Sequence, residues 1–194
     1  MPLSLFALAA AWCSVATAAP VTWKVDSSHS EVSFAVRHMM IADVRGTFTG
    51  VEGTIVVDAA DPSKSKAQID VDAASVDTRN VKRDRHLRSA DFFDTEKYPA
   101  ITFRSKSVQA VADRRFRLTG DLTLRGVTRE VVFEVEGPSG EARDPGGTVK
   151  VAATAHAVIH RKEFGLTWNM PLEDGGVLLG DDVRIEIAIE ADRL

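Results

Sequence analysis

The chain has 194 residues, 44% of them hydrophobic and 27% charged, the composition of a globular protein of one domain's length and not of a disordered or fibrous chain. Its 24 Lys and Arg against 28 Asp and Glu leave a formal net charge of −4. That balance excludes a nucleic-acid footprint spread over the whole surface, so any basic site has to be local.

Residues 1–18 carry no charged side chain and run from Leu3-Ser4-Leu5-Phe6 through Ala9-Ala10-Ala11-Trp12 to the small residues Ala16-Thr17-Ala18. The apolar run falls short of the roughly 18–20 residues that span a bilayer. With a small-x-small ending, it reads as a secretory signal peptide cleaved after Ala18. Cys13, the single cysteine, goes with it, and the bulky Trp12 before it argues against lipid attachment there. The mature domain, 19–194, is then free of cysteine, which excludes disulfides, thiol catalysis and zinc–thiolate sites.

From Trp23 onward the dominant period is two. Residues 32–36, 67–71, 116–124 and 183–190 alternate apolar with mostly polar positions, and 53–57, 100–111, 131–135 and 148–159 read as strands too, about eight in all. Turn signals separate them at Asp61-Pro62-Ser63, Ala112-Asp113-Arg114 and Arg125-Gly126, and 137–147 is the stretch expected to be a mobile loop. Short connections imply antiparallel neighbours, and alternation implies one buried face per strand. A closed barrel or a sandwich follows.

One segment breaks the period. Residues 79–89 lack alternation and follow Thr78, a candidate N-cap, so a short helix or ordered loop is expected. Arg79, Lys82, Arg83, Arg85 and Arg88 stand there against the single acid Asp84. Such a run is either a solvated helix face or a local anion site for a phosphate-bearing head group or an anionic membrane surface, to which each basic residue adds about 1 kcal/mol.

Catalytic signatures are missing from the sequence: it has no phosphate-binding Gly-x-x-x-x-Gly-Lys, no Gly-x-Gly-x-x-Gly, no Gly-x-Ser-x-Gly and no His-Glu-x-x-His. His156 and His160 have helical spacing but fall in a strand pattern, where about 3.3 Å per residue sets them roughly 13 Å apart, too far to share an ion. His38 continues the phase of Val32, Phe34 and Val36 and should face inward, as a satisfied core histidine or as a polar group at a cavity rim.

Taken in order, Trp23-x-Val25-Asp26-x-x-His29-Ser30-x-Val32-x-Phe34, His38, Gly46-x-Phe48, Asp84-x-His86-Leu87-Arg88-Ser89-x-Asp91-Phe92-Phe93, Tyr98-Pro99-x-Ile101-x-Phe103-x-Ser105, Gly120-x-Leu122-Thr123-Leu124-x-Gly126-Val127-Thr128 and Arg161-x-Glu163-Phe164-Gly165 form a set. This set resembles the YceI-like lipid- or polyisoprenoid-binding proteins over essentially the whole mature chain. One departure is Glu163, where the family usually has Asp.

The resemblance implies an all-β, lipocalin-like antiparallel barrel of about eight strands, exported to the periplasm. Inside it would lie a long apolar amphiphile, such as a polyisoprenoid, an isoprenoid quinone or a fatty-acid-like lipid, held as carrier or reservoir without cofactor or metal. Phe34, Val36, Phe48, Ile101 and Phe103 would line the tail channel, with Phe92, Phe164 and Trp168 closing it. His38, Asp84, His86 and Arg161 would orient a head group or brace the mouth. Small residues in the apolar stripes, Gly120, Ala153, Ala155 and Ala157, would leave room for the ligand, and Gly126 and Gly165 would serve turns. Expected partners are the lipid, a transient membrane contact through the 79–88 cations, and a second copy of the chain, but no nucleic acid. The alternative reading is a hydrolase or metal-dependent enzyme assembled from His38, Asp84 and His86.

Overall fold

The computed structural model describes residues 19–173 and 175–194, so the signal-peptide expectation for 1–18 lies outside the described residues. The strands are β1 (Val21–Val25), β2 (Glu31–His38), β3 (Ala42–Phe48), β4 (Val51–Val57), β5 (Lys66–Asp72), β6 (Val76–Asp77), β7 (Ala100–Ala112), β8 (Arg115–Leu124), β9 (Val127–Glu136), β10 (Ala142–Arg143), β11 (Val149–His160) and β12 (Leu179–Arg193). One α-helix, α1 (Val81–Arg88), lies between β6 and β7.

Three of the strand lines are kinked. β1 runs into β2 through a 3-10 turn at Ser27–His29, where the Asp26 carboxylate accepts from Ser28 N at 3.0 Å. β5 runs into β6 through a second such turn at Ala73–Ser75, capped by Asp72. β3 and β4 pair with β2 and β1 in turn, on either side of Gly50. Each kinked line counts once around the ring, giving an antiparallel closed barrel of eight strands.

The long strand β12 closes it. One edge pairs with β11 from Lys150↔Asp192 to His160↔Asp182. The other pairs with β1 at Val25↔Ala191 and with β2 at Val36↔Val183. Closure leaves no open edge in the ring, and every second side chain points inward. Trp23, Val25, Phe48, Phe103, Phe133 and Ile189 are among the buried residues of that interior.

Three local expectations change. The cap of α1 is Asn80, whose side-chain oxygen accepts from Arg83 N at 3.1 Å; Thr78 is used elsewhere. Residues 137–147 are tied to the sheet: β10 pairs with β11, Ser139 N donates to Ala152 O at 2.8 Å, and the Ser139 hydroxyl accepts from Ala152 N. Gly120 opens no space, because a Cβ there would lie 2.5 Å from Phe103 Cζ; the glycine seats the ring. Gly126 and Gly165 do serve turns, at φ +72° and +76°.

Candidate functional site

The inward faces of the strands do not meet at the middle. They enclose an apolar cavity of about 360 Å³, within the size range of small-molecule sites. Phe34, Ile101, Val183, Ile185 and Ile187 point into it and are only half-buried despite lying inside the barrel, because they face a void and not partner atoms. Its aromatic wall is held by edge and tilted ring contacts: Phe34 to Phe48 at 5.6 Å, Phe48 to Phe93 at 5.4 Å, and Phe103 to Phe133 at 5.2 Å between centroids. Gly46 seats Phe34 as Gly120 seats Phe103, its would-be Cβ lying 2.5 Å from Phe34 Cζ.

One end of the cavity is polar, and α1 builds it. His86 stands on the last turn of the helix with its ring edge-on to Phe92, at 5.0 Å, and to Trp168, at 4.8 Å, while Nε2 pairs with Asp91 Oδ2 at 2.9 Å. Arg83, one turn earlier on the same face, donates from Nε to Thr78 Oγ1 at 2.7 Å and from Nη2 to Thr78 O at 2.8 Å. Both line the cavity, together with His38 at the end of β2.

Arg161 completes this end. Its guanidinium is buried, with 3% of the residue exposed, and it donates to Gly180 O at 2.8 Å, Leu166 O at 2.6 Å and Trp168 O at 2.9 Å. Asp181 is its carboxylate neighbour at 3.4 Å. Burial pushes its pKa down, partly opposed by Asp181. These bonds fix the backbone that carries Trp168 over the mouth.

The residues expected to bind ligand therefore separate. Phe34, Val36, His38, Phe48, His86, Phe92, Ile101, Phe103, Arg161 and Trp168 all line the cavity. Phe164 does not; at 1% exposed it is packed in the core beneath the turn. Asp84 does not either. It is buried under α1, where Oδ1 accepts from Thr78 N at 2.9 Å and from Thr78 Oγ1 at 2.5 Å, locking the helix to the end of β6.

Of the set His38, Asp84 and His86, the two histidines line the cavity and Asp84 does not, its Oδ1 being held by Thr78. Among the described residues, the three metal-type ligands that do converge, within 4.8 Å, are Asp26, His29 and Glu190. The Lys150 ammonium sits where a cation would, 2.7 Å from Asp26, 3.0 Å from Glu190 and 2.7 Å from Asp192. Its hydrogen bond holds the Asp26 carboxyl well below the usual carboxylate range, and the Asp192 bond first among three pushes Lys150 up. Hydrogen bonding to Asp26 likewise raises His29.

Residues 23–191 match the family model described as the YceI-like domain. The chain belongs to this family. Its relatives include a UPF0312 protein of Staphylococcus aureus, 36% identical over 166 residues, covering 85% of this chain and 94% of that one. The YCEI protein of Campylobacter jejuni, solved by crystallography, superposes with a TM-score of 0.64 at 30% identity over 80% of this chain and 88% of its own. A polyisoprenoid binding domain from Saccharophagus degradans shares the fold at TM-score 0.63 and 14% identity, over 90% and 99% of the two chains.

Sequence reading left several wall residues of this YceI-like barrel unassigned. Ile185 and Ile187 were legible as an inward stripe on β12, and Leu87 and Phe93 belong to the Asp84–Phe93 motif. Arg83 carried only its charge. Nothing in the local pattern says that its guanidinium folds back to the cavity, because that follows from the position of Thr78.

Proposed function

We propose that this protein holds a long apolar amphiphile, a polyisoprenoid, an isoprenoid quinone or a fatty-acid-like lipid, in its barrel as a carrier or reservoir. The observation that carries the reading is the asymmetry of the cavity: an apolar wall along the strands, and a cluster of cationic and imidazole groups, His38, Arg83, His86 and Arg161, at one end. A hydrocarbon chain gains by burial along the wall, about 0.8 kcal/mol per methylene, while an oxygen-rich or anionic head meets cationic and imidazole side chains at that end. The name of the Saccharophagus neighbour, a polyisoprenoid binding domain, supports the same ligand class.

Delivery fits an exported protein that meets a membrane at its polar end. Arg83 and Arg88 are committed to the backbone carbonyls of Thr78, Ala74 and Val76, which leaves Lys82 and Arg85 exposed on α1 and Arg79 exposed just before it. Directly after His38, which lines the same cavity as Arg83 and His86, the β2–β3 turn presents Met39, Met40 and Ile41, the last 75% exposed. Apolar groups flanked by cations suit an anionic lipid surface.

Organic extraction of gently purified protein, followed by mass spectrometry, is expected to yield a prenyl or fatty-acyl lipid. Ile187→Trp, which fills the cavity from its wall, should return an empty but folded protein. Wild-type protein that repeatedly extracts empty and takes up no isoprenoid from vesicles overturns the reading.

A further inference from the structure

A second apolar compartment, of about 310 Å³, lies at the end of the barrel opposite α1. Its wall includes Trp23, Val57, Phe116, Val151 and Ala191, and its rim is made by Pro62 and Ser65 on one side and by Gly137 and Pro138 on the other. Ile55, Ala67, Leu118, Val135, Ala153 and Ile189 line both this compartment and the main cavity. They come one each from β4, β5, β8, β9, β11 and β12, so together they form a girdle around the bore where the two spaces meet.

The girdle is uneven. Ile55 pairs across the ladder with Ala67, and Ile189 with Ala153, so at two points around the ring a large side chain stands beside an alanine. Cross-strand partners on one face have Cβ atoms about 4.5–5.5 Å apart. An alanine at such a pair leaves the axis clear where a second isoleucine would close it. Beyond the girdle the wall is again apolar and partly exposed inside the barrel: Val57 and Phe116 are only half-buried. The far rim holds its shape independently, through Asp58 Oδ1 accepting from Ala60 N and Asp61 N and the Ser65 hydroxyl accepting from Asp58 N.

We propose that Ala67 and Ala153 make the girdle a passage, that the far compartment receives the distal end of the bound chain, and that the protein therefore selects prenyl chains long enough to extend past the girdle. This rests on the lipid-holding reading. It adds a second subsite and the two residues that govern access to it. Short chains would occupy only the main cavity, and lengthening would keep adding affinity as new methylenes and methyls enter the far wall.

The two compartments carry different reporters, Trp168 at the mouth and Trp23 in the far space. In W12F/W168F protein Trp23 is the only tryptophan of the chain. A solanesol-length alcohol brominated at its distal end should quench Trp23 on binding, and brominated farnesol should not. Native mass spectrometry of protein loaded from detergent should show solanesol preferred over farnesol, a preference that Ala67→Phe or Ala153→Leu lowers by about tenfold or more while farnesol still binds. If either variant does not fold, the Trp23 signal in the unblocked protein decides alone. Solanesol bound without quenching of Trp23 overturns the passage and leaves the lipid-holding function standing. Failure of every prenyl alcohol to bind overturns that function, and the passage with it.

Discussion

At the α1 end of the barrel the strands give way to irregular backbone, and polar side chains are drawn inward to hold it: Asp84 on Thr78, Arg83 on Thr78, Arg161 on three carbonyls of the 166–180 region. At the opposite end the strands continue to their turns, and the charged residues Asp26, Lys150, Glu190 and Asp192 meet on the outside of the ladder. The difference teaches where polar residues are costly. Inside, each unmatched donor or acceptor loses its water without replacement, so Asp84, Arg83 and Arg161 are each bonded to protein partners. Outside, a cluster of like charges is tolerated because one ammonium and the solvent screen it.

The comparison breaks most decisively at Arg161. Arg161→Ala leaves three carbonyls of a buried turn without donors and should cost about 3–5 kcal/mol in urea denaturation. Arg161→Lys should recover only part, since one ammonium cannot reach three directions as the guanidinium fork does. A loss below about 1 kcal/mol would mean that water replaces the guanidinium freely.

Asp84→Ala comes next, at about 2–3 kcal/mol, because the buried Thr78 N–H loses its acceptor. Amide hydrogen exchange should show α1 opening before the barrel does. Equal protection of helix and strands would contradict the idea that Asp84 pins the one to the other. Gly120→Ala is smaller, about 1–3 kcal/mol. Its methyl meets Phe103 and pushes the ring into the cavity, so ligand uptake should fall along with stability. Unchanged uptake would show that the ring swings elsewhere.

The far end answers to pH instead. Asp26 is held below its ordinary range, so its contribution is present above that range and fades as pH falls through it toward the folded-state value. His29 is raised, so its contribution is full below the ordinary histidine range and is lost as pH rises through its folded-state value. Thermal melts should therefore show a shallow optimum between these limits. Lys150→Met should flatten the acid limb, while the polar-end variants shift the whole curve down and keep its shape.

Much of the barrel was legible because its strands obey the period of two: β8 was readable over 116–124, and β12 over 183–190, the middle of its Leu179–Arg193 span. β3 was not, since Gly46 takes an inward position where the stripe of Val44 and Phe48 would need an apolar side chain, and pairing with β2 makes the segment a strand. The cavity wall was readable from the inward phase of Phe34, Ile101 and Phe103. The role of Asp84 was not, because a carboxylate in a basic run looks the same whether it faces a ligand or a backbone amide.

By itself, then, the sequence determined the class of fold, the inward stripes and the lack of cysteine chemistry beyond Cys13, since these follow from local periodicity and composition. Only the tertiary structure decided that Gly120 holds a ring instead of a space, that Phe164 is core, and that two alanines from distant strands face one axis. Those facts depend on which strands the closed ring makes neighbours, and no single segment contains that information.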